Sequence, residues 1–299
     1  MQNNNHSYEG MIIKAVGGFY YVETAEGLLE CKARGIFRKK GISPSVGDKV
    51  TLSIPKNGYP SIEEIKERKN ILVRPPIANL DLLFIVTSVT DPSPNLFVID
   101  KMTAVAVKKN IEPIIVVTKS DLGDYRPLEE IYRTAGFKVI PYSIYESKNT
   151  ATVQNLLKGR LSAFIGNTGV GKSSLLNTIL PELNIKTGEI SQKLGRGRHT
   201  TRHSELFHVD GGYVADTPGF STVDVERYEL IRSAELADCF PEFDDYLNQC
   251  RFTSCTHVCE QGCAILSAVQ EGKIMPSRHN SYKAMYEEAK AIKDWQIKT

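Results

Sequence analysis

Gly166-Asn167-Thr168-Gly169-Val170-Gly171-Lys172-Ser173 reads G-x-x-x-x-G-K-S, and its flanks decide the fold. The apolar run 161–165 leads in as a strand, and 174–180 leads out with helical periodicity. Glycines at 166, 169 and 171 let the backbone wrap a phosphate without side-chain collision. Consecutive N–H groups and the start of the helix then face the anion, with Asn167, Thr168, Val170 and Ser174 completing the nucleotide-binding run. Lys172 is placed to span the β- and γ-phosphates, and the Ser173 hydroxyl to ligate magnesium.

Two more motifs fit the same site. Asp216-Thr217-Pro218-Gly219 follows the strand 212–215, which puts Asp216 at the carboxyl edge of a sheet beside the magnesium and Gly219 where an N–H can meet the γ-phosphate. Thr118-Lys119-Ser120-Asp121 closes the apolar run 114–117. A carboxylate at Asp121 can accept from both N1–H and N2–H2 of guanine, a pair adenine does not offer, while the Lys119 stem packs over the ring. Guanine is therefore the expected base. Ser143, after the strand 138–142, is a further candidate for the base pocket.

The order of these motifs is informative. In Ras-like GTPases the phosphate loop precedes the base-selecting motif; here it follows by about forty-five residues. Termini of a compact domain often lie close together, so joining the old ends and opening new ones leaves the sheet intact. If both motifs serve one nucleotide, the domain is circularly permuted and Asp216 falls in its last segment.

Working outward, the runs 82–86 and 114–117 are apolar at every position, as strands covered on both faces by helices must be. Strand and helix alternate from 80 to 165, which predicts a doubly wound α/β domain. Ahead of Arg74-Pro75-Pro76, short β-type runs at 11–15, 19–23, 28–33 and 49–54 are separated by Gly17-Gly18, Glu26-Gly27 and Asn57-Gly58, which reads as a small barrel of the OB type. Its charged stretch, Lys32, Arg34, Arg38, Lys39 and Lys40, is either a track for a phosphate backbone or a solvated loop. Beyond about 220 the pattern turns helical, ending in a basic amphipathic stretch at 277–298.

At 299 residues the chain is long enough for two or three domains, and 41% hydrophobic with 24% charged residues excludes disorder. A formal charge of +2 is nearly balanced, so any nucleic-acid-binding surface must be local. The polar start, 1–10, lacks the apolar core of a signal peptide and no run spans a membrane, so a cytoplasmic location is expected. Cys31 and Cys239 read as small apolar side chains. Cys250-x4-Cys255-x-His257-x5-Cys263 offers three thiolates and an imidazole in one short loop, a set suited to structural tetrahedral zinc, with Cys259 as a competing fifth thiol.

T-K-S-D, G-N-T-G-V-G-K-S-S and D-T-P-G in this order, with the barrel ahead, the segment Gly195-Arg196-Gly197-Arg198-His199-Thr200-Thr201-Arg202 between and the Cys/His spacing behind, resemble the RsgA (YjeQ/YloQ) family of circularly permuted GTPases. The resemblance covers essentially the whole chain. It implies an OB-fold RNA-binding barrel over 1–68, a circularly permuted α/β P-loop GTPase domain over 69–223 and a mainly helical zinc-binding domain over 224–299. It also implies Mg-dependent GTP hydrolysis, stimulated by the small ribosomal subunit, in late maturation of that subunit, with GTP, GDP and 16S rRNA as partners. The family pattern omits Cys259, which leaves Cys250, Cys255, His257 and Cys263 as the zinc ligands. Thr118 departs from the Asn commoner in GTPases, which removes one amide contact without changing base choice.

Phe220 stands where Ras-like enzymes carry the Gln that orients water, and a phenyl ring cannot hydrogen-bond a nucleophile. His199 is the replacement the resemblance suggests, with RNA contact as its other reading. Thr200 or Thr201 supplies the second hydroxyl to magnesium. An ATP-dependent small-molecule kinase is argued against by Asp121, and an adaptor with a degenerate nucleotide site by the intact Lys172 and Ser173. No feature calls for a dimer, so a monomer is expected.

Overall fold

Alternating and fully apolar runs separate into strands and helices as the chemistry requires. The computed structural model describes residues 6–55, 58–181, 204–216 and 229–292. Strands β1 (His6–Val16), β2 (Phe19–Thr24), β3 (Gly27–Ala33), β4 (Lys49–Ile54) and β5 (Ser61–Ile65) come first, with helix α1 (Gly35–Lys39) between β3 and β4. A short hairpin follows, β6 (Ile71–Leu72) and β7 (Ile77–Ala78). Strand and helix then alternate: β8 (Leu82–Ser88), α2 (Leu96–Lys108), β9 (Glu112–Thr118), α3 (Arg126–Thr134), β10 (Lys138–Tyr142), α4 (Ser147–Leu157), β11 (Leu161–Ile165) and α5 (Lys172–Ile179). After these come β12 (Glu205–Val209) and β13 (Gly212–Asp216), then three 3-10 turns within 233–246, then α6 (Ala264–Gln270) and α7 (Pro276–Lys290).

The chain forms two compact units. The first takes the chain through Leu82, residues 154–163 and the β12–β13 hairpin. In it β1 pairs with β2 and with β4, β2 with β3, β3 in parallel with β5, and β5 with β4, so five strands close into an OB-like barrel. Closure needs β1 to bend between two partners. It passes from one to the other around Gly10, which faces both Thr24 and Val50 and where a Cβ would lie 2.4 Å from the Glu23 carbonyl oxygen, and its register with β2 shifts between Ile12 and Lys14. Ile12, Val22, Cys31, Val50, Leu52 and Ile62 fill the interior. Cys31 is there as an apolar side chain, and burial pushes its thiol up to about 11. The charged loop after β3 folds as α1, which buries Phe37 and leaves Arg38, Lys39 and Lys40 exposed.

On the far side of β1, Lys14 pairs with Glu205 of β12 in register and by an ion pair of 2.9 Å. The hairpin turns at Asp210-Gly211, both with positive φ, as a two-residue connection demands. Glu23 of the barrel accepts from Tyr213 of β13 and lies 2.7 Å from His208 Nε2 of β12. Strand β13, which ends at Asp216, is thereby one strand removed from the barrel.

In the second unit the strands stand in the order β10-β9-β8, with β9 and β10 paired in parallel from Ile114↔Lys138 to Thr118↔Tyr142. All seven residues of β8 are buried, as the unbroken apolar run requires. Phe84 stacks on Phe164 with centroids 4.5 Å apart. Asn95 caps α2, its side chain accepting from the Val98 N–H at 3.2 Å.

The C-terminal stretch departs from its sequence reading. A basic amphipathic run implies exposed cations, yet Arg278 and His279 of α7 are buried. Arg278 donates to Asp100 of α2 at 2.7 Å, to Thr103 at 3.0 Å and to Glu242 at 2.6 and 3.2 Å, with its guanidinium carbon 4.7 Å from the Phe240 ring centroid. Burial disfavours the guanidinium charge, but Asp100 and Glu242 outweigh it and hold Arg278 charged. Such a node joins α7 to α2 in one geometry, because any slippage leaves charges buried without partners.

Candidate nucleotide and metal sites

The phosphate loop takes the shape its glycines permit. Gly169 and Gly171 have φ of 86° and 85°, in the left-handed region, and Gly171 is the residue that precedes α5. A Cβ on Gly166 would lie 2.5 Å from the Val86 carbonyl oxygen, so glycine is required where the loop crosses β8. Asn167, Thr168 and Gly169 are exposed, and Lys172, Ser173 and Ser174 open α5 half-buried.

The T-K-S-D segment meets this loop. Thr118 is buried at the end of β9, and its hydroxyl bonds the Val170 carbonyl, with the Thr87 carbonyl also in reach at 3.0 Å. A Cβ on Gly171 would lie 3.5 Å from the same hydroxyl oxygen. Two motifs fifty-two residues apart in sequence are thus joined by one side chain. The sequence treats Thr118 only as the loss of an amide contact; its role as a tie between loops is a structural finding, and no sequence signal marks it. We expect Thr118→Val, which keeps the shape and removes the hydroxyl, to leave the buried Val170 carbonyl without its donor and to weaken GTP binding by about 1–3 kcal/mol, roughly 5- to 150-fold. Titration calorimetry checks this.

Lys119 adopts φ of 56° and donates from Nζ to the Asp91 carbonyl. Ser120 N–H donates to the Tyr142 carbonyl at 3.2 Å, and Asp121 is exposed. Ser143 is buried at the head of the adjoining loop, where its hydroxyl accepts from the Tyr145 N–H at 3.2 Å. Asp216 ends β13, opposite Glu205. Its side chain, Gly219 and the segment carrying His199, Thr200 and Thr201 lie outside the described residues.

The second cluster is the Cys/His loop. Cys250 Sγ lies 3.5 Å from His257 Nδ1 and 3.8 Å from Cys263 Sγ, and Cys263 Sγ lies 3.6 Å from His257 Nδ1. With Cys255, all four ligand atoms fall within 4.8 Å of one another. With bonds of about 2.3 Å to sulfur and about 2.0 Å to nitrogen, tetrahedral zinc sets S···S at about 3.8 Å and S···N at about 3.5 Å. The donor set therefore fits zinc in chemistry and spacing. Cys259 stands exposed, outside the set.

Residues the sequence did not single out hold this loop. Glu260 accepts from the backbone N–H of Thr256 at 2.7 Å and of Val258 and Cys259 at 3.1 Å. His279 donates to the His257 carbonyl at 2.8 Å, and the Tyr282 hydroxyl to the Thr256 carbonyl at 2.8 Å. These contacts orient the ligand-bearing backbone, as outer groups of metal sites do. Among the described residues no helix is long and apolar enough to cross a membrane.

Comparison with known proteins agrees with this architecture. The model of the RsgA N-terminal domain matches residues 9–62 and that of the RsgA GTPase matches residues 65–226. A protein of Bacillus cereus named small ribosomal subunit biogenesis GTPase RsgA is 44% identical over 293 residues, covering 95% of this chain and 98% of its own. A protein of that name from Clostridium perfringens is 41% identical over 283 residues, 94% of this chain and 97% of its own. The crystal structure of YjeQ from Thermotoga maritima superimposes with a TM-score of 0.81 at 34% identity, over 96% of this chain and 100% of that one. YloQ, described as a circularly permuted GTPase, gives 0.77 at 34%, over 97% and 98%. With the segment 118–121 tied to the glycine-rich loop 166–173 that follows it in sequence, the chain belongs to the RsgA family of circularly permuted GTPases.

Proposed function

We propose that this chain is a GTP-hydrolysing factor in late maturation of the small ribosomal subunit, binding its 16S rRNA and stimulated by the subunit. The observation that carries the reading is the bond between Thr118 and the Val170 carbonyl, which joins base-selecting and phosphate-binding segments into one pocket. The ribosomal assignment rests on the relatives, named for small-subunit biogenesis and aligned over nearly their full length.

In this reading the run Gly166–Ser174 cradles the phosphates, Lys172 neutralises charge between the β- and γ-phosphates, and Asp121 with Thr118, Lys119 and Ser120 selects guanine. Magnesium would be held by Ser173 and by Thr200 or Thr201, with Asp216 as a further group for it, and would neutralise charge developing on the phosphates. Gly219 meets the γ-phosphate. His199 orients the attacking water in place of the Gln that Phe220 displaces. Three regions share the work: an RNA-binding barrel over 1–68, the GTPase over 69–223, and a zinc-stabilised domain over 224–299 whose placement on rRNA depends on the nucleotide. The factor acts as a cytoplasmic monomer.

The test is GTP and ATP turnover with and without purified small subunits. We expect GTP turnover alone, raised by the subunit. His199→Ala should keep GTP affinity and lose about a hundredfold or more of the stimulated rate, the usual contribution of a positioned acid–base group. Unchanged stimulated turnover in that variant removes His199 from the mechanism, and preference for ATP overturns the reading as a whole.

A further inference from the structure

Strands β9 and β10 run in parallel with Thr118 opposite Tyr142, so the segments that follow them, 119–121 and 143–146, leave the sheet at one edge. The Ser120 N–H bond to the Tyr142 carbonyl keeps them together. The second segment is a tight turn: Ser143 accepts the Tyr145 N–H on its hydroxyl at 3.2 Å and the Glu146 N–H on its carbonyl at 3.1 Å. No hydrogen-bond partner for the Ile144 N–H is found among the described residues.

This turn and its neighbour hold three large apolar side chains in water: Tyr145 is 81% exposed, Leu122 64% and Ile144 56%. The phenol ring of Tyr145 is a large flat surface to leave in water, and here the hydrogen bonds of the Tyr145 and Glu146 N–H groups to Ser143 fix the turn that holds it out. At the same edge stand an acceptor, the exposed Asp121 carboxylate, and a donor, the Ile144 N–H. A flat ring, an acceptor and a donor together describe a receptor for a heteroaromatic base with donors beside an acceptor. Guanine presents N2–H2, N1–H and O6 in that sequence, and adenine presents the reverse polarity at positions 1 and 6.

We propose that Tyr145 is the stacking platform of the base pocket, its ring lying on one face of guanine with the Lys119 stem on the other. The proposal rests on the reading of 118–121 and 166–174 as one nucleotide site, and adds a residue to it. Stacking of a base on an aromatic side chain is sequence-tolerant, so Tyr145 supplies affinity while Asp121 supplies the choice of purine.

Calorimetric titration of GDP into the wild-type chain and into Tyr145→Ala, Tyr145→Phe and Tyr145→Trp tests this. We expect Tyr145→Ala to raise the dissociation constant about tenfold or more, Tyr145→Phe to stay within about twofold of wild type, and Tyr145→Trp to bind with quenching of the new indole fluorescence. The melting temperature of the nucleotide-free chain should not move in any of the three. An unchanged constant in Tyr145→Ala, with wild type binding GDP normally, overturns the platform and leaves the pocket standing. Failure of the wild-type chain to bind GDP overturns pocket and platform together. If Tyr145→Ala keeps GDP affinity and loses only subunit-stimulated turnover, the ring belongs to an RNA contact and the proposal falls.

Discussion

Replacing Asp121 with Asn is expected to raise the dissociation constant for GTP by about 10²- to 10⁴-fold and to create binding of XTP. In the proposed pocket the carboxylate accepts from two donors of guanine, and hydrogen bonds to a charged group contribute about 1.5–3 kcal/mol each, or about 3–6 kcal/mol together. The Asn amide brings a donor against the guanine N2–H2 group. Xanthine carries a carbonyl at that position and restores the match, so the loss for GTP and the gain for XTP come from one atom. ATP should not benefit. The exposure of Asp121 at the tip of β9 argues against a fold defect, because no packing is lost with the charge. Competition of GTP, XTP and ATP against a fluorescent GDP analogue measures all three constants, and an unaltered GTP constant in Asp121→Asn would remove the residue from base selection.

The second large effect concerns the Cys/His loop. Cys263→Ser should yield protein without zinc and with the region from 250 to 263 unfolded, whereas Cys259→Ser should retain one zinc per chain and melt as wild type does. Structural zinc contributes about 10–16 kcal/mol to small folds near neutral pH, so losing one buried ligand of four removes far more than a cysteine in an apolar site does. Apart from the four ligands, the loop is held by hydrogen bonds, among them Glu260 to three backbone N–H groups, His279 to the His257 carbonyl and Tyr282 to the Thr256 carbonyl. Metal analysis with thermal melting decides between the cysteines. Zinc lost from Cys259→Ser but kept in Cys263→Ser would replace one ligand with the other.

Legibility followed the range over which each physical constraint acts. The phosphate loop reads directly because glycine, lysine and serine each answer a local requirement, and the structure carries the left-handed glycines before α5. The barrel reads from alternation and turn residues, since hairpins are local; α1 does not, because five residues are too few for a periodicity. The start of α2 at Leu96 is set by Asn95, whose side chain caps it. The permuted order is visible in the sequence, but the bond that makes two motifs one pocket is not. Thr118 meets Val170 only after β8, β9 and β11 have been laid beside one another, and threonine at a strand end has many uses.

Arg278 shows the opposite failure. In a basic C-terminal run its charge reads as surface, because the carboxylates that bury it, Asp100 and Glu242, are 178 and 36 residues away. The Cys/His set was legible in composition, spacing alone left Cys259 in competition, and the family pattern that omits Cys259 agrees with the geometry: Cys263 is buried against His257, and Cys259 faces water. Tyr145 lies between these cases, an aromatic residue whose meaning depends on the neighbouring strand.

One pocket built from segments in permuted order underlies everything proposed here. Its most direct test is a crystal structure with a non-hydrolysable GTP analogue. Both oxygens of Asp121 are expected within hydrogen-bond distance of guanine N1 and N2 while the Gly166–Ser173 backbone amides hold the triphosphate. A triphosphate bound in that loop with its base turned away from Asp121 would contradict it.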